Sequence, residues 1–229
     1  MRGVFVTATD TGVGKTVLAA AICAVLRARG ETVAAYKPVV TGTAEPEPGV
    51  PLDHVLLASC TSQRPEQVAP HAFGPAVSPH LAAAEAPLDP VALEAGAQAA
   101  APADGVLVVE GVGGLLVPLD ARGYDVRALA RALGLPVVIA ARPGLGTINH
   151  TLLTIEAAWS GGLDVRGVVL TPWPTEPDAV ERSNAATIAA LGDVTVSVLP
   201  RVGELTPAAL AAAAARLPVD RWIDTAAPG

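Results

Sequence analysis

Residues 7–16 read Thr7-Ala8-Thr9-Asp10-Thr11-Gly12-Val13-Gly14-Lys15-Thr16. An apolar run precedes this segment and a helical pattern follows it, so its backbone N–H groups and the helix N-terminus can wrap a polyphosphate. In such a loop Lys15 reaches the terminal phosphates and the Thr16 hydroxyl coordinates Mg²⁺. The strict pattern has glycine six residues before the lysine, where this chain has Thr9, so the segment matches a variant of the loop.

Apolar runs of strand length recur along the chain and alternate with helical patterns. We predict strands at residues 3–7, 32–36, 105–109, 136–140, 165–171 and 194–199. Continuous Val, Ile and Leu runs suit strands buried on both faces, as in a parallel sheet between two helix layers. The first crossover helix is predicted at residues 16–29, with Gly30 as its cap. The sequence therefore predicts one doubly wound α/β domain over residues 1–229, of P-loop NTPase type, with a mostly parallel sheet and helices on both faces.

Composition argues against several classes of protein. The formal net charge of −7 disfavours nucleic acid as the main partner. Mean hydropathy is +0.46, but Gly, Pro or Arg interrupts the longest apolar stretches before about 18 residues, so no membrane span is predicted. The N-terminus leads directly into the phosphate loop and leaves no space for a signal peptide, which predicts a cytoplasmic protein.

Several features favour structural roles. Cys23 and Cys60 lie in apolar helical patterns without a CxxC spacing or a nearby histidine pair, so we predict buried free thiols, not zinc ligands. Residues 208–215 form an alanine-rich helical pattern, which Trp222 is expected to hold against the body of the protein. Residues 42–51 and 70–79 are rich in Pro and polar residues and are predicted to be loops over the carboxyl ends of the strands.

Two carboxylates and a lysine occur where a phosphate and metal site would need them. Glu110 ends a buried strand and precedes a glycine-rich turn, although a solvated strand-end acid has the same pattern. Asp53 stands at the start of the helical pattern at residues 52–59, where an N-cap is the alternative. Lys37 follows a strand and is expected at the edge of the sheet that carries the phosphate loop, with a solvated cation as the alternative.

Five segments, in order within residues 3–155, resemble motifs of the dethiobiotin synthetase family. They read ATDTGVGKT at residues 8–16, KPVVTG at 37–42, SPHLAA at 78–83, VEGVGG at 109–114 and GLGTINHT at 144–151. One such motif alone is weak, whereas the ordered set is specific. Ala8 stands where the family usually has glycine and Val112 where it usually has alanine, and both are small apolar changes.

The resemblance implies a ligase of biotin biosynthesis that closes the ureido ring of dethiobiotin from 7,8-diaminononanoate, CO₂ and a nucleoside triphosphate such as ATP. CO₂ adds to one amine to give a carbamate, phosphoryl transfer activates it as a mixed anhydride, and the second amine closes the ring. The implied catalytic residues are Lys37, Lys15 and Thr11, with the lysines neutralising charge as it develops.

The resemblance also implies the ligand contacts. Thr16, Asp53 and Glu110 would hold Mg²⁺, which replaces the N-cap interpretation of Asp53. The nucleotide would contact Gly12, Val13, Gly14, Lys15, Thr16, Val17, Asp53, Glu110, Gly111, Val112, Gly113, Thr171, Pro172, Pro200, Arg201 and Val202. The substrate would contact Thr11, Thr41, Gly144, Leu145, Gly146, Thr147, Ile148 and Asn149.

Residues 144–149 have a further implied role. They precede a helical pattern at residues 151–159, and their N–H groups would bind the distal carboxylate of the substrate across a homodimer interface. An ordinary loop between a strand and a helix is the alternative interpretation.

One departure limits the resemblance, and three other classes of protein compete with it. Thr171-Pro172 stands where some members carry an adenine-reading asparagine, so we expect weak discrimination among nucleoside triphosphates. A partitioning-type P-loop ATPase would carry a second lysine where this chain has Asp10, and a cobyrinate amidotransferase would need a further domain. A nucleotide-dependent regulator is another alternative, which turnover dependent on the diamine and bicarbonate would exclude.

Overall fold

Parallel strands form the central sheet. The computed structural model describes residues 1–223. The strands are β1 (Gly3–Ala8), β2 (Val33–Tyr36), β3 (Val39–Val40), β4 (His71–Ala72), β5 (Val106–Glu110), β6 (Val137–Ala141), β7 (Val165–Trp173) and β8 (Val196–Pro200). Their spatial order in the central sheet is β2-β5-β1-β6-β7-β8. The helices are α1 (Lys15–Ala28), α2 (Asp53–Ser59), α3 (Pro65–Val68), α4 (Pro79–Ala82), α5 (Pro90–Ala100), α6 (Val126–Leu133), α7 (Thr147–Ser160), α8 (Ala179–Leu191), α9 (Pro207–Ala214) and α10 (Val219–Ile223).

Two apolar cores lie on opposite faces of this sheet. Along β1, Val4 and Val6 pack into the core beneath α1, α2, α9 and α10, whereas Phe5 packs into the core beneath α5 to α8. Neighbouring side chains of a strand point to opposite faces, so a strand covered on both sides must be apolar at every position. This burial explains the unbroken apolar runs, and the doubly wound α/β prediction is confirmed.

Helix α1 begins directly after the phosphate loop and is almost entirely buried. Gly14 precedes it with a φ of +92° and Gly30 follows it with a φ of +86°, both in the left-handed region where glycine carries no steric penalty. The alanine-rich inner turns let α9 and α2 pack closely against it. The helix therefore aims its N-terminus at the site from a fixed position in the core.

The element boundaries differ from the predictions in three places. Strands β3 and β4 pair in parallel, although β3 was not predicted and β4 lies in the loop predicted at residues 70–79, because two-residue strands carry no recognisable period. Helix α7 begins at Thr147 and not at residue 151, since its first turn contains Thr, Ile and Asn, which have modest helix propensity. Leu52 occupies the N-cap position of α2, so the N-cap interpretation of Asp53 was wrong.

The structural roles expected for the cysteines and for Trp222 are confirmed. Cys23 and Cys60 are free and buried, and burial raises the pKa of both thiols. Trp222 lies in the same core cluster as Leu210 and Ala214 of α9. Within residues 1–223, none of the helices combines the length and apolar character needed to cross a membrane.

Candidate active site

The phosphate loop joins β1 to α1 at the carboxyl edge of the sheet. The Thr9 N–H donates to the Ala140 carbonyl at 3.0 Å, which ties the start of the loop to β6. Gly12 and Gly14 both have positive φ, and a Cβ atom added to Gly14 would lie 3.0 Å from Thr171 Cγ2. The loop therefore needs glycine at Gly14 for its conformation and for its close approach to β7.

A buried cluster of charges lies beside the loop. Lys37 Nζ is 2.8 Å from Glu110 Oε1 and 2.9 Å from Asp53 Oδ2, and Lys15 Nζ is 3.3 Å from the same Glu110 oxygen. The exposed fraction of the side chain is 2% for Lys37 and 0% for Glu110. The interpretations of Glu110 as a solvated acid and of Lys37 as a solvated cation are therefore wrong.

The charges in this cluster determine one another's protonation. Burial alone would lower the pKa of the Lys37 ammonium, but the carboxylates of Glu110 and Asp53 outweigh it and raise the pKa above its usual range. At Lys15 burial prevails, and the pKa is lowered. Burial of the Asp53 carboxyl is outweighed by the two lysines, which hold its pKa well below the usual range. At neutral pH Lys37 is thus a fixed cation and Asp53 a fixed anion.

The same cluster contains oxygen ligands that fit Mg²⁺. Thr16 Oγ1 lies 2.9 Å from Asp53 Oδ1 and 2.8 Å from Glu110 Oε1, and its single proton can serve only one of them at a time. Glu110 Oε2 is buried without a hydrogen-bond partner. Within residues 1–223 no group of three or more His, Cys, Asp or Glu forms a cage for a metal. Two carboxylates and a hydroxyl suit a cation that keeps waters and takes phosphate oxygens as its other ligands.

Two cavities adjoin the phosphate loop. A cavity of ≈ 470 Å³ is lined by most of the residues that were predicted to bind phosphate, the metal or the reacting groups of the substrate. Lys15, Lys37, Thr41 and Asp53 are among them. Its remaining lining residues are Thr11, Gly12, Gly14, Thr16, Val17, Glu47, Val50, Ala76, Val77, Val112, Gly113 and Val117. The cavity thus joins the loop to the strand-end residues of β2 and β5.

The second cavity, of ≈ 760 Å³, also adjoins the loop and shares Gly12, Gly14 and Val17 with the first. It is lined by Gly12, Gly14, Val17, Thr171, Pro172, Pro200, Arg201 and Val202 of the predicted nucleotide contacts, together with residues 49–51 and 203–206. Thr171 is only 2% exposed. Its hydroxyl and methyl group pack near Gly14, so Thr171 supports the loop more than it faces the cavity.

Residues 144–149 do not line either cavity within this chain. Thr147, Ile148 and Asn149 lie in the first turn of α7, and Gly146 is its N-cap residue without a side-chain cap. The Thr147 hydroxyl is buried 3.3 Å from Thr151 Oγ1. Leu145 is 97% exposed. The structure therefore places this helix start outside the charge cluster of its own chain.

The sequence interpretation missed Arg142 and a polar residue that positions the helix start. Arg142 Nη2 lies 3.1 Å from Asp10 Oδ2, and Asn184 Nδ2 donates to the Pro143 carbonyl at 2.8 Å. Arg142 follows a buried strand directly, as Lys37 does, and that shared position was the available signal. Asn184 lies in the middle of α8, and only the packing of α8 against the loop reveals its role.

Known proteins similar to this chain indicate the class of protein to which it belongs. Residues 2–209 match a family model described as an AAA domain. The ATP-dependent dethiobiotin synthetase BioD of Anaeromyxobacter dehalogenans (strain 2CP-1 / ATCC BAA-258) is 47% identical over 197 residues, which cover 83% of this chain and 86% of that protein. The protein of the same name from Rhodococcus jostii (strain RHA1) is 40% identical and covers 96% and 94%.

A solved structure supports the fold alone. Cobyrinic acid a,c-diamide synthase from Mycobacterium smegmatis, solved with bound ADP and magnesium, covers 100% of both chains with a TM-score of 0.58 at 17% identity. A parallel sheet with a phosphate loop between β1 and α1 defines the class of P-loop nucleoside triphosphatases. Within that class, the identities to the two curated relatives show that this chain belongs to the ATP-dependent dethiobiotin synthetase family.

Proposed function

We propose that this site closes the ureido ring of dethiobiotin from 7,8-diaminononanoate and CO₂ at the expense of ATP. The observation that carries the proposal is that two buried lysine side chains, Lys15 and Lys37, meet on one carboxylate oxygen of Glu110 and both line the same cavity. Family membership supplies the substrates, and the cluster places the Lys37 cation, with Lys15 beside it, where anionic oxygens must come together.

The reaction needs that charge at two steps. A diamine nitrogen bonds to CO₂ and loses a proton, which gives a carbamate anion. A carbamate oxygen then attacks the γ-phosphorus as the bond to ADP breaks, and the second amine attacks the carbonyl carbon and expels phosphate. Lys37 and Lys15 hold the carbamate and the phosphoryl oxygens against their mutual repulsion, and Thr11 and Thr41 hydrogen-bond the diamine or the carbamate.

Thr16, Asp53 and Glu110 are the residues that would hold Mg²⁺. Bound there, the ion supplies positive charge to the phosphate oxygens of ATP. The unpartnered Oε2 of Glu110 and the ionised Asp53 support this assignment. These residues orient the triphosphate, while the N–H groups of residues 12–17 surround it.

The nucleotide base is proposed to lie in the larger cavity, with little selection for adenine. Pro172 and Pro200 lack an N–H donor, and Thr171 is turned toward Gly14, so no side-chain amide among the predicted contacts can pair two-pronged with adenine. We expect kcat/KM values for ATP, CTP, GTP and UTP that differ by less than about a hundredfold. A preference for ATP above that limit would show that other residues recognise the base.

The substrate carboxylate is proposed to bind the start of α7 of a second copy of this chain. The uncapped helix N-terminus at Gly146 suits an anion, and it lies outside the cavities of its own chain. The proposed partners are thus the diamine, CO₂ and a second subunit, without nucleic acid or membrane. A cytoplasmic location is proposed as well, since ATP is supplied there.

One assay tests the activity directly. Purified protein is expected to release ADP and phosphate only when 7,8-diaminononanoate, bicarbonate and Mg²⁺ are all present, because the carbamate must form before a phosphoryl acceptor exists. The measurement is coupled ADP release, with each component omitted in turn and with EDTA replacing Mg²⁺. Substantial hydrolysis without the diamine would contradict the proposal and favour a regulator or a partitioning-type ATPase.

A further inference from the structure

Arg142, the residue directly after β6, contacts two consecutive residues of the phosphate loop. Its Nη2 lies 3.1 Å from Asp10 Oδ2 and donates to the Thr11 carbonyl at 3.3 Å. The other Asp10 oxygen, Oδ1, accepts the Thr11 N–H at 2.7 Å. Both backbone polar groups of Thr11 are thus held by this pair, which we call the Arg142–Asp10 clamp.

The clamp holds a residue that lines the cavity of ≈ 470 Å³, which we call the reaction cavity. Thr11 lines the smaller cavity beside Lys15 and Lys37, and it does not line the cavity assigned to the base. A Cβ atom on Gly113 would lie 3.4 Å from Thr11 Oγ1, so the hydroxyl is turned toward the strand end of β5. The clamp therefore fixes the backbone from which the Thr11 hydroxyl projects.

We propose that Arg142 is a positioning residue for the diamine, acting on Thr11 both through Asp10 and through its own bond to the Thr11 carbonyl. The inference rests on the proposed function, in which the Thr11 hydroxyl contacts the reacting amine or carbamate. Arg142 also balances the charge of Asp10, which directly precedes Thr11 in the chain. In partitioning-type loops a lysine occupies the position of Asp10. Here Asp10 forms a neutral ion pair with Arg142, and this pair contacts the adjacent Thr11 backbone.

The solvent exposure of the Arg142–Asp10 pair makes it possible to distinguish an effect on substrate binding from an effect on folding stability. The exposed fractions of the Arg142 and Asp10 side chains are 57% and 56%. Ion pairs so open to water contribute little to folding stability. Loss of the pair is therefore expected to change substrate binding without unfolding the protein.

The test compares Arg142→Gln, Asp10→Asn and the double variant. We expect Arg142→Gln to raise the KM for the diamine about three- to tenfold, because a charge-assisted hydrogen bond to the loop is lost. The KM for ATP should change by less than about twofold and the Tm by no more than about 2 °C. In the Asp10→Asn background the same substitution should have a smaller effect, since the ion pair is already absent and only the bond to the Thr11 carbonyl remains to be lost.

Arg29→Gln is the matched control. Arg29 pairs with Asp220 at 3.1 Å with exposed fractions of 37% and 73%, just beyond the C-terminal end of α1, and its loss should leave both KM values unchanged. Wild-type protein without diamine-dependent turnover would overturn the proposed function, and the clamp with it. Normal wild-type turnover with an unchanged diamine KM in Arg142→Gln would overturn the clamp alone. Additive single effects, or an equal rise in both KM values with a lowered Tm, would also overturn it.

Discussion

At the scale of single residues, Lys37 is the side chain whose loss is expected to lower kcat most clearly. It is 2% exposed, contacts Glu110 and Asp53, and its pKa is raised by them, so it remains a cation at the wall of the reaction cavity. We expect Lys37→Ala to lower kcat about a hundredfold, because loss of one preorganised charge stabiliser typically costs a few kcal/mol in the transition state. The measurement is steady-state kcat at saturating diamine, bicarbonate and Mg-ATP.

The substitution also removes a partner from two carboxylates, so folding must be measured alongside turnover. Breaking a buried ion pair commonly costs about 3–5 kcal/mol of stability. Kinetics should therefore be recorded well below the Tm of the variant, with circular dichroism confirming the folded fraction. Arg29→Ala is the control for loss of an exposed cation. A kcat within about threefold of wild type would remove Lys37 from the phosphoryl and carbamate chemistry.

At the scale of elements, the two ends of α1 offer a matched pair of glycines. Gly14 and Gly30 have φ values of +92° and +86°, so alanine at either position is strained by about 1–2 kcal/mol. A Cβ atom at Gly14 would lie 3.0 Å from Thr171 Cγ2, whereas one at Gly30 would meet nothing within 4 Å. We expect urea unfolding to show a loss of stability in both variants, at least as large in Gly14→Ala because of the contact with Thr171, with ATP affinity lowered only in Gly14→Ala.

Isothermal titration with Mg-ATP distinguishes the two glycines. Wild-type affinity in Gly14→Ala would mean that the loop shifts without consequence and that its packing on β7 does not support the nucleotide site. Weaker ATP binding in Gly30→Ala would mean that strain at the far end of α1 reaches its N-terminus through the helix.

The elements also show where sequence interpretation succeeds. Strands buried on both faces produce unbroken apolar runs, and a glycine-rich loop between a strand and a helix has few other uses, so the sheet, α1 and the phosphate loop could be predicted. Contacts between distant segments could not. Lys37 and Glu110 are 73 residues apart, and their 2.8 Å contact depends on the parallel pairing of β2 with β5. The Arg142–Asp10 clamp likewise depends on the neighbouring positions of β1 and β6.

At the scale of the whole molecule, Leu145 marks the surface where a second subunit is expected. Leu145 is 97% exposed and directly precedes the helix N-terminus that is proposed to bind the substrate carboxylate of a second subunit. We expect Leu145→Glu to weaken self-association and to raise the KM for the diamine, because the added charge is buried on association and repels the substrate carboxylate. Sedimentation velocity over a range of concentrations measures the first effect, and steady-state kinetics measures the second.

Val91→Glu provides the control on another element. Val91 is 69% exposed in the first turn of α5, which packs on the edge strand β2, whereas α7 packs on β6 and β7, so its substitution should leave mass and KM unchanged. A wild-type protein that sediments as a monomer at assay concentration, with full activity, would refute the shared carboxylate site.

The burial of Lys15 and Lys37 has a consequence for labelling the protein. The sequence contains no other lysine, and its remaining basic residues are arginine and histidine. Amine-reactive dyes and crosslinkers therefore meet primary amines only at the N-terminus and inside the reaction cavity. The extent of covalent modification at Lys15 and Lys37 therefore measures whether a ligand occupies the cavity. Attachment of the protein to a surface by random amine coupling would either use its first residue or destroy its activity.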